Sequence, residues 1–308
     1  METALTIFSQ VLTMFLLIGV GFGCCKFGVF STKTNQELSN FLLTVVSSAL
    51  ILNTYQSDSS PETIKNLGLS FLLSAGIFIL STAVSYLMKI KPAQPGAIAT
   101  ERFGVVYPNS AYMGIPLLLA SIGDVGVLYA SAFIVVSTLY MWLQGVALFT
   151  GKWDKKLLVS VVKNPVVICI VLGLPLFLFQ VKFPAPIASA VSGLASLMTP
   201  LSMLIAGMFI AQSNLLRALS SLRVYAVVFL RLIFIPMVML FILKFLPIDQ
   251  DLRLTFLILS AAPCATVSMS FADRFGGHVE RASSMFAVST LLCIFTIPLM
   301  ILCAEWIW

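Results

Sequence analysis

Apolar runs of about twenty residues follow one another along nearly the whole chain, from residue 4 to residue 304. No other feature restricts the fold as much. In hydrocarbon every backbone polar group needs a partner within the chain, which leaves helices and closed barrels. The runs are continuous and do not alternate in ten-residue segments, so they predict helices and not a barrel. Composition agrees: 59% of the residues are hydrophobic and 10% charged, where a soluble chain is about a quarter charged. The net charge of +6 does not point to nucleic acid, because the basic residues sit in short loops between runs.

The runs predict an all-α polytopic membrane protein with ten transmembrane helices, near 4–25, 37–56, 66–88, 97–120, 125–150, 164–181, 187–211, 222–244, 252–273 and 281–304. The first carries Glu2 and no basic residue ahead of it, so it reads as a span and not a signal peptide. Thirteen lysines and arginines fall in or beside the odd-numbered connections, Lys89, Lys91, Lys155 and Lys156 among them, and four in the even-numbered ones. Positive charge stays inside, so the odd connections are expected to be cytoplasmic and both termini outside. The expected location is the plasma (inner) membrane, multi-pass.

The chain reads as one transmembrane domain, 1–308, divided by the basic loop "GKWDKKLLVSVVKN" into two groups of five spans, 1–151 and 164–308. Span four carries Pro108 and span nine Pro263. Each is followed at a similar interval by a related stretch, "GVLYASAFIVVST" and "ERASSMFAVST". Span two ends in "NTYQS" and span seven in "FIAQS". Five is odd, so the second group enters the membrane from the opposite side, and a five-plus-five inverted repeat follows.

Matched interruptions in the two halves of such a repeat point to a secondary transporter with its site where they meet. Pro108 removes a backbone donor and clashes with the preceding turn, a break tolerated only inside protein or beside a water-filled cavity. Asn109 or Ser110 is placed to cap the half-helix that follows. "AAPCATVSMS" repeats the design, with Thr266 and Ser268 after Pro263. Two half-helix N-termini near the midplane favour an anion; simple proline kinks are the plainer reading. Arg231, the basic residue well inside a span, reads either as a substrate counter-ion or gate or as a snorkelling side chain. Ser47 and Ser48 in span two either line the site or serve helix packing. The charged turn of Asp273, Arg274, His278, Glu280 and Arg281 reads as solvated, and no acidic residue falls deep in a span.

The six cysteines lie within or at the ends of spans, without the histidines or paired CxxC of a zinc site, and read as packing residues. No metal and no cofactor is expected. HExxH, intramembrane aspartate motifs and a P-loop are missing, so neither an enzyme nor an ATP-driven pump is expected. A channel or membrane sensor on the same broken helices is the alternative to a carrier.

"YPNSAYMGIPLL" (107–118) resembles the fourth-span motif of the auxin efflux carrier family, which includes the plant PIN carriers and bacterial relatives. "KNPVVICIVLGLPL" (163–176) is similar to its sixth-span entry, and "AAPCATVSMSFADRFGG" with "STLLCIFTIPL" to its last two spans. The resemblance covers essentially the whole chain. It implies an inverted-repeat fold with broken crossover helices 4 and 9, a scaffold part and a transport part. By it, Pro108, Asn109 and Pro263 mark the crossover, and Asn109 contacts substrate. Ser47, Ser48 and Ser137 line the cleft from spans two and five, although span two lacks the family's proline there. The implied function is transport of a small organic anion, a carboxylate or auxin-like acid, by alternating access, with H+ or Na+ as coupling ion left open. The lipid bilayer is the expected surrounding, and a homodimer accords with the resemblance.

Overall fold

The structure, a computed structural model, describes residues 2–88, 96–152 and 158–308. Lys89, Lys91, Lys155 and Lys156 and the centre of the basic loop lie outside the described residues. The described chain is helical, with one isolated β-bridge and no strand among the described residues. Helices α1 (Glu2–Lys26), α2 (Thr32–Thr54) and α3 (Pro61–Ser85) precede the pair α4 (Ala97–Val106) and α5 (Ser110–Ser121). Then come α6 (Asp124–Thr150), the short α7 (Leu158–Val162) and α8 (Pro165–Leu178). Next are α9 (Ala185–Gln212), the short α10 (Leu215–Leu219) and α11 (Leu222–Phe245). A second pair, α12 (Gln250–Ala261) and α13 (Val267–Arg274), leads to α14 (Val279–Ile307).

Polar residues between the apolar runs set the helix starts by satisfying first-turn N–H groups. Ser31 Oγ accepts from Thr34 N while Thr34 Oγ1 accepts from Ser31 N, a reciprocal cap on α2. Ser60 accepts from Thr63 N ahead of Pro61, and Asn164 from Val166 N ahead of Pro165. In both, proline takes the first helical position, where its missing donor costs nothing.

Seven helices among the described residues are long and apolar enough to cross a membrane: α1, α2, α3, α6, α9, α11 and α14. The other three expected spans differ for identifiable reasons. Spans four and nine are each two helices separated by an extended segment around a proline. Span six stops as a helix at Leu178, after 14 residues, and Gln180 follows with φ of 53°. Leu16, Val20, Leu72, Ile79, Val171 and Phe295 point outward, as lipid-facing residues do.

Helices α1 and α9 pack backbone to backbone. A Cβ added at Gly21 would overlap the Leu204 carbonyl, and one at Gly207 would overlap the Ile18 carbonyl and Phe22 N. Glycine permits this approach, and in lipid such contact is a main source of helix association. Buried Ser70, Ser74 and Ser81 give α3 a small-residue face. Ser70 and Ser74 satisfy their hydroxyls on carbonyls one turn back in the same helix.

Candidate functional site

The two broken helices cross at their extended segments. Tyr107, Pro108 and Asn109 run antiparallel to Pro263, Cys264 and Ala265, as an isolated bridge between Pro108 and Cys264. Asn109 N donates to the Pro263 carbonyl at 2.7 Å, and Ala265 N donates to the Tyr107 carbonyl at 3.1 Å. Each proline breaks its own helix, and the other broken segment satisfies the groups that the break frees. That exchange removes the main cost of irregular backbone at membrane depth. Ser289 Oγ completes it by accepting from Cys264 N at 3.0 Å.

Four half-helix ends meet here: the C-termini of α4 and α12 and the N-termini of α5 and α13. Arg231 attends to the first two. Fully buried in α11, it donates from Nε to the Ala262 carbonyl at 3.1 Å. Its Nη1 donates to the Val105 and Val106 carbonyls at 3.2 and 3.5 Å, and its Nη2 to the Ser260 carbonyl. Both readings of Arg231 from sequence need correction: it neither lines the cavity described below nor reaches toward a membrane surface. All three guanidinium nitrogens are used on main-chain carbonyls at the ends of the two half-helices.

On the other side, the α5 and α13 N-termini border a cavity of about 320 Å³. Its wall takes Pro108, Asn109, Ser110 and Tyr112 from one crossover strand and helix, and Ala265, Thr266, Val267 and Phe271 from the other. Leu43 and Ser47 of α2, Ser137, Thr138, Met141 and Trp142 of α6, and Asn164 and Val166 at the start of α8 close it. No charged side chain lines it among the described residues. Arg274 stacks over Trp142 at 5.5 Å from just beyond the wall.

Asn109 occupies the N-cap position of α5, but its side chain makes no capping bond, and neither does that of Thr266 on α13. The Asn109 carbonyl accepts the ordinary first helical bonds, from Met113 and Gly114 N at 3.1 and 3.3 Å, and the side chain adds no cap to them. The amide is therefore free for something else. Asn109 is 2% exposed and its Nδ2 has no partner. Of the buried polar side-chain atoms without one among the described residues, it alone belongs to a cavity-lining residue. An unpaired buried donor is costly unless a ligand completes it.

Of the residues singled out from sequence, Pro108, Asn109, Ser110, Thr266, Ser47 and Ser137 come together on this wall. Ser48, Pro263, Ser268 and Arg231 do not. Ser268 Oγ donates to the Ala265 carbonyl at 2.6 Å, while Pro263 contributes a carbonyl to the crossover bridge. Pro116 is buried two residues beyond a π turn, and helix α5 continues through it without a second break.

Sequence reasoning missed the aromatic wall and the π turns. Four π turns occur among the described residues, at Leu42–Val46, Ser110–Gly114, Met141–Gly145 and Leu230–Phe234. Three supply cavity residues and the fourth carries Arg231. Such turns shift a helix's register by one residue and gather at functional sites, but no residue pattern announces them. Of the charged turn after α13, Asp273, Arg274 and Glu280 are exposed as expected, whereas His278 and Arg281 are half-buried. Glu101 of α4, buried one turn into span four, accepts from Arg281 Nη1 at 2.8 Å and Arg223 Nη1 at 3.4 Å. His278 Nδ1 accepts from Arg281 N, and His278 N donates to Thr100 Oγ1.

Comparison with known proteins follows the same lines. Residues 6–159 and 149–301 match the family described as "membrane transport protein". The protein ECM3 of Saccharomyces cerevisiae (strain ATCC 204508 / S288c) is 24% identical over 123 residues, which cover 40% of this chain. The match spans about a fifth (20%) of the length of that relative.

Proposed function

The chain belongs to the membrane transport protein family, of auxin efflux carrier type, and from that premise we propose that it is a secondary carrier for a small organic anion. It works by alternating access, with the crossover as the moving site. The observation that carries this reading is the unpaired Nδ2 of Asn109 on a cavity bordered by two half-helix N-termini. Carboxylate oxygens accept from such an amide and from the free N–H groups of a first turn, and the positive helix ends favour the charge. A mostly apolar wall around a few polar groups is the usual build of a small-molecule site.

In this reading Asn109, Ser110 and Thr266 contact the carboxylate, while Ser47, Ser137 and Pro108 shape the cleft. Pro263, Ser268, Ser48 and Arg231 act behind it. Ten spans in a five-plus-five inverted repeat, 1–151 and 164–308, place both termini outside the inner (plasma) membrane. The start of α8 is then cytoplasmic, so the cavity, which includes Asn164, is the inward-facing site. The carrier works as a monomer or as a homodimer.

The test is counterflow in proteoliposomes, loaded with candidate carboxylates and run with and without sodium and across pH. Saturable exchange that Asn109→Ala lowers about ten-fold or more is expected, the loss of one hydrogen bond to a charged group. Unchanged exchange in Asn109→Ala, or single-channel currents in place of saturable exchange, would refute the reading.

A further inference from the structure

The cavity has no charged side chain on its wall among the described residues, yet the proposed substrate is an anion. At an ideal crossover the four half-helix ends cancel: two N-termini carry about half a positive charge each and two C-termini about half a negative charge each. A crossover alone is therefore a poor anion site. Something has to remove the negative pair.

We propose that Arg231 does this, and that it sets the preference for anions without touching the substrate. This rests on the anion-carrier reading above. All three nitrogens of its guanidinium donate to carbonyls at the two C-terminal ends, Val105 and Val106 of α4 and Ser260 and Ala262 beside α12. It forms no ion pair with a carboxylate among the described residues. Its charge is thus spent on the two negative helix ends. The two positive ends, at Ser110 and Val267, have no side-chain cap and border the cavity together with the unpaired Asn109 amide.

The geometry separates this from plain structural tethering. Arg231 bonds the carbonyls of residues 105 and 106, immediately before the extended segment whose Pro108 and Asn109 line the cavity. It bonds 260 and 262 in the same relation to Ala265 and Thr266. The bonded residues lie within five positions of cavity-lining ones in the chain, and none of them is exposed. Screening by solvent is weak in such a place. Arg231 is a positioning residue in that it orders the crossover, and a specificity residue through its charge.

The experiment compares acids with their uncharged amides. Purified protein is titrated with propionate, benzoate, malonate and indole-3-acetate, each paired with its amide, and binding is read by thermal shift. The pair with the largest preference for the acid is then measured in Arg231→Met. The expected result is a fall of about ten-fold or more in acid affinity with amide affinity unchanged. Equal loss for acid and amide, or no loss for either, overturns the inference and leaves the anion reading standing. If the wild-type protein prefers no acid over its amide, the anion reading fails and the inference falls with it. Should Arg231→Met not fold, Arg231→Lys decides: the lysine keeps the charge with fewer donors. A retained acid preference at lower thermal stability supports the charge role, and a lost preference overturns it.

Discussion

The ion cluster at the start of the first crossover helix makes a quantitative test of how the first broken helix is held. Glu101 is buried to 1% side-chain exposure and is shared by Arg281 at 2.8 Å and Arg223 at 3.4 Å. These residues join α4 to α14 and to α11. In Glu101→Gln the shape is kept and the charge lost. A hydrogen bond to a charged group contributes about 1.5–3 kcal/mol. The contact at 2.8 Å carries most of that, since the one at 3.4 Å lies near the limit of useful geometry. The expected loss is therefore about 2–3 kcal/mol, seen as a lower thermal unfolding midpoint in detergent.

Arg281→Met should cost more, about 3–5 kcal/mol, because it leaves the carboxylate buried with its weaker contact. The double variant should cost less than the sum of the two, by a coupling of about 1–3 kcal/mol. Both arginines keep only about a fifth of their side-chain surface exposed, 20% and 21%, so raising the salt concentration should change the coupling little. A coupling near zero, or one abolished by salt, would refute the claim that a buried ion cluster holds these helices together.

Two further variants test the packing. Gly207→Leu drives a side chain into the α1 backbone and should abolish monodisperse protein on size exclusion, whereas Gly19→Ala, with open space around it, should leave it intact. Tyr107→Phe removes the hydroxyl that donates to Gln144 Oε1 at 2.7 Å, beside a Gln144 Nε2 already without a partner. Thermal unfolding should report a loss of about 1–2 kcal/mol; no change would mean that this contact does not hold the crossover segment against α6.

Much of the architecture was legible from residue order because the bilayer leaves so few solutions. Apolar run length marks helices without any knowledge of neighbours, and Ser31, Ser60 and Asn164 mark where they begin. Pro108 and Pro263 mark the breaks because proline cannot donate. Asn109 could be singled out because a primary amide in hydrocarbon requires a partner. The expected side-chain cap is not formed, since local sequence cannot say which way the Asn109 side chain turns.

Other features were decided only when distant segments met. Arg231 stands 29 residues before Ser260 and more than 120 after Val105, so no local pattern tells which carbonyls it serves. The π turns leave no residue signature, yet three of them turn side chains into the cavity. Glu101 is the fifth residue of span four, and nothing in its local sequence tells that Arg223 and Arg281 pack against it. The sequence by itself determined that the chain is helical, lies in lipid, and is broken at two prolines, because solvation and the missing proline donor act locally. Only the tertiary structure decided what the breaks face. Which orphaned carbonyl or amide finds a partner, and which is left to a ligand, depends on how segments more than a hundred residues apart are brought into contact.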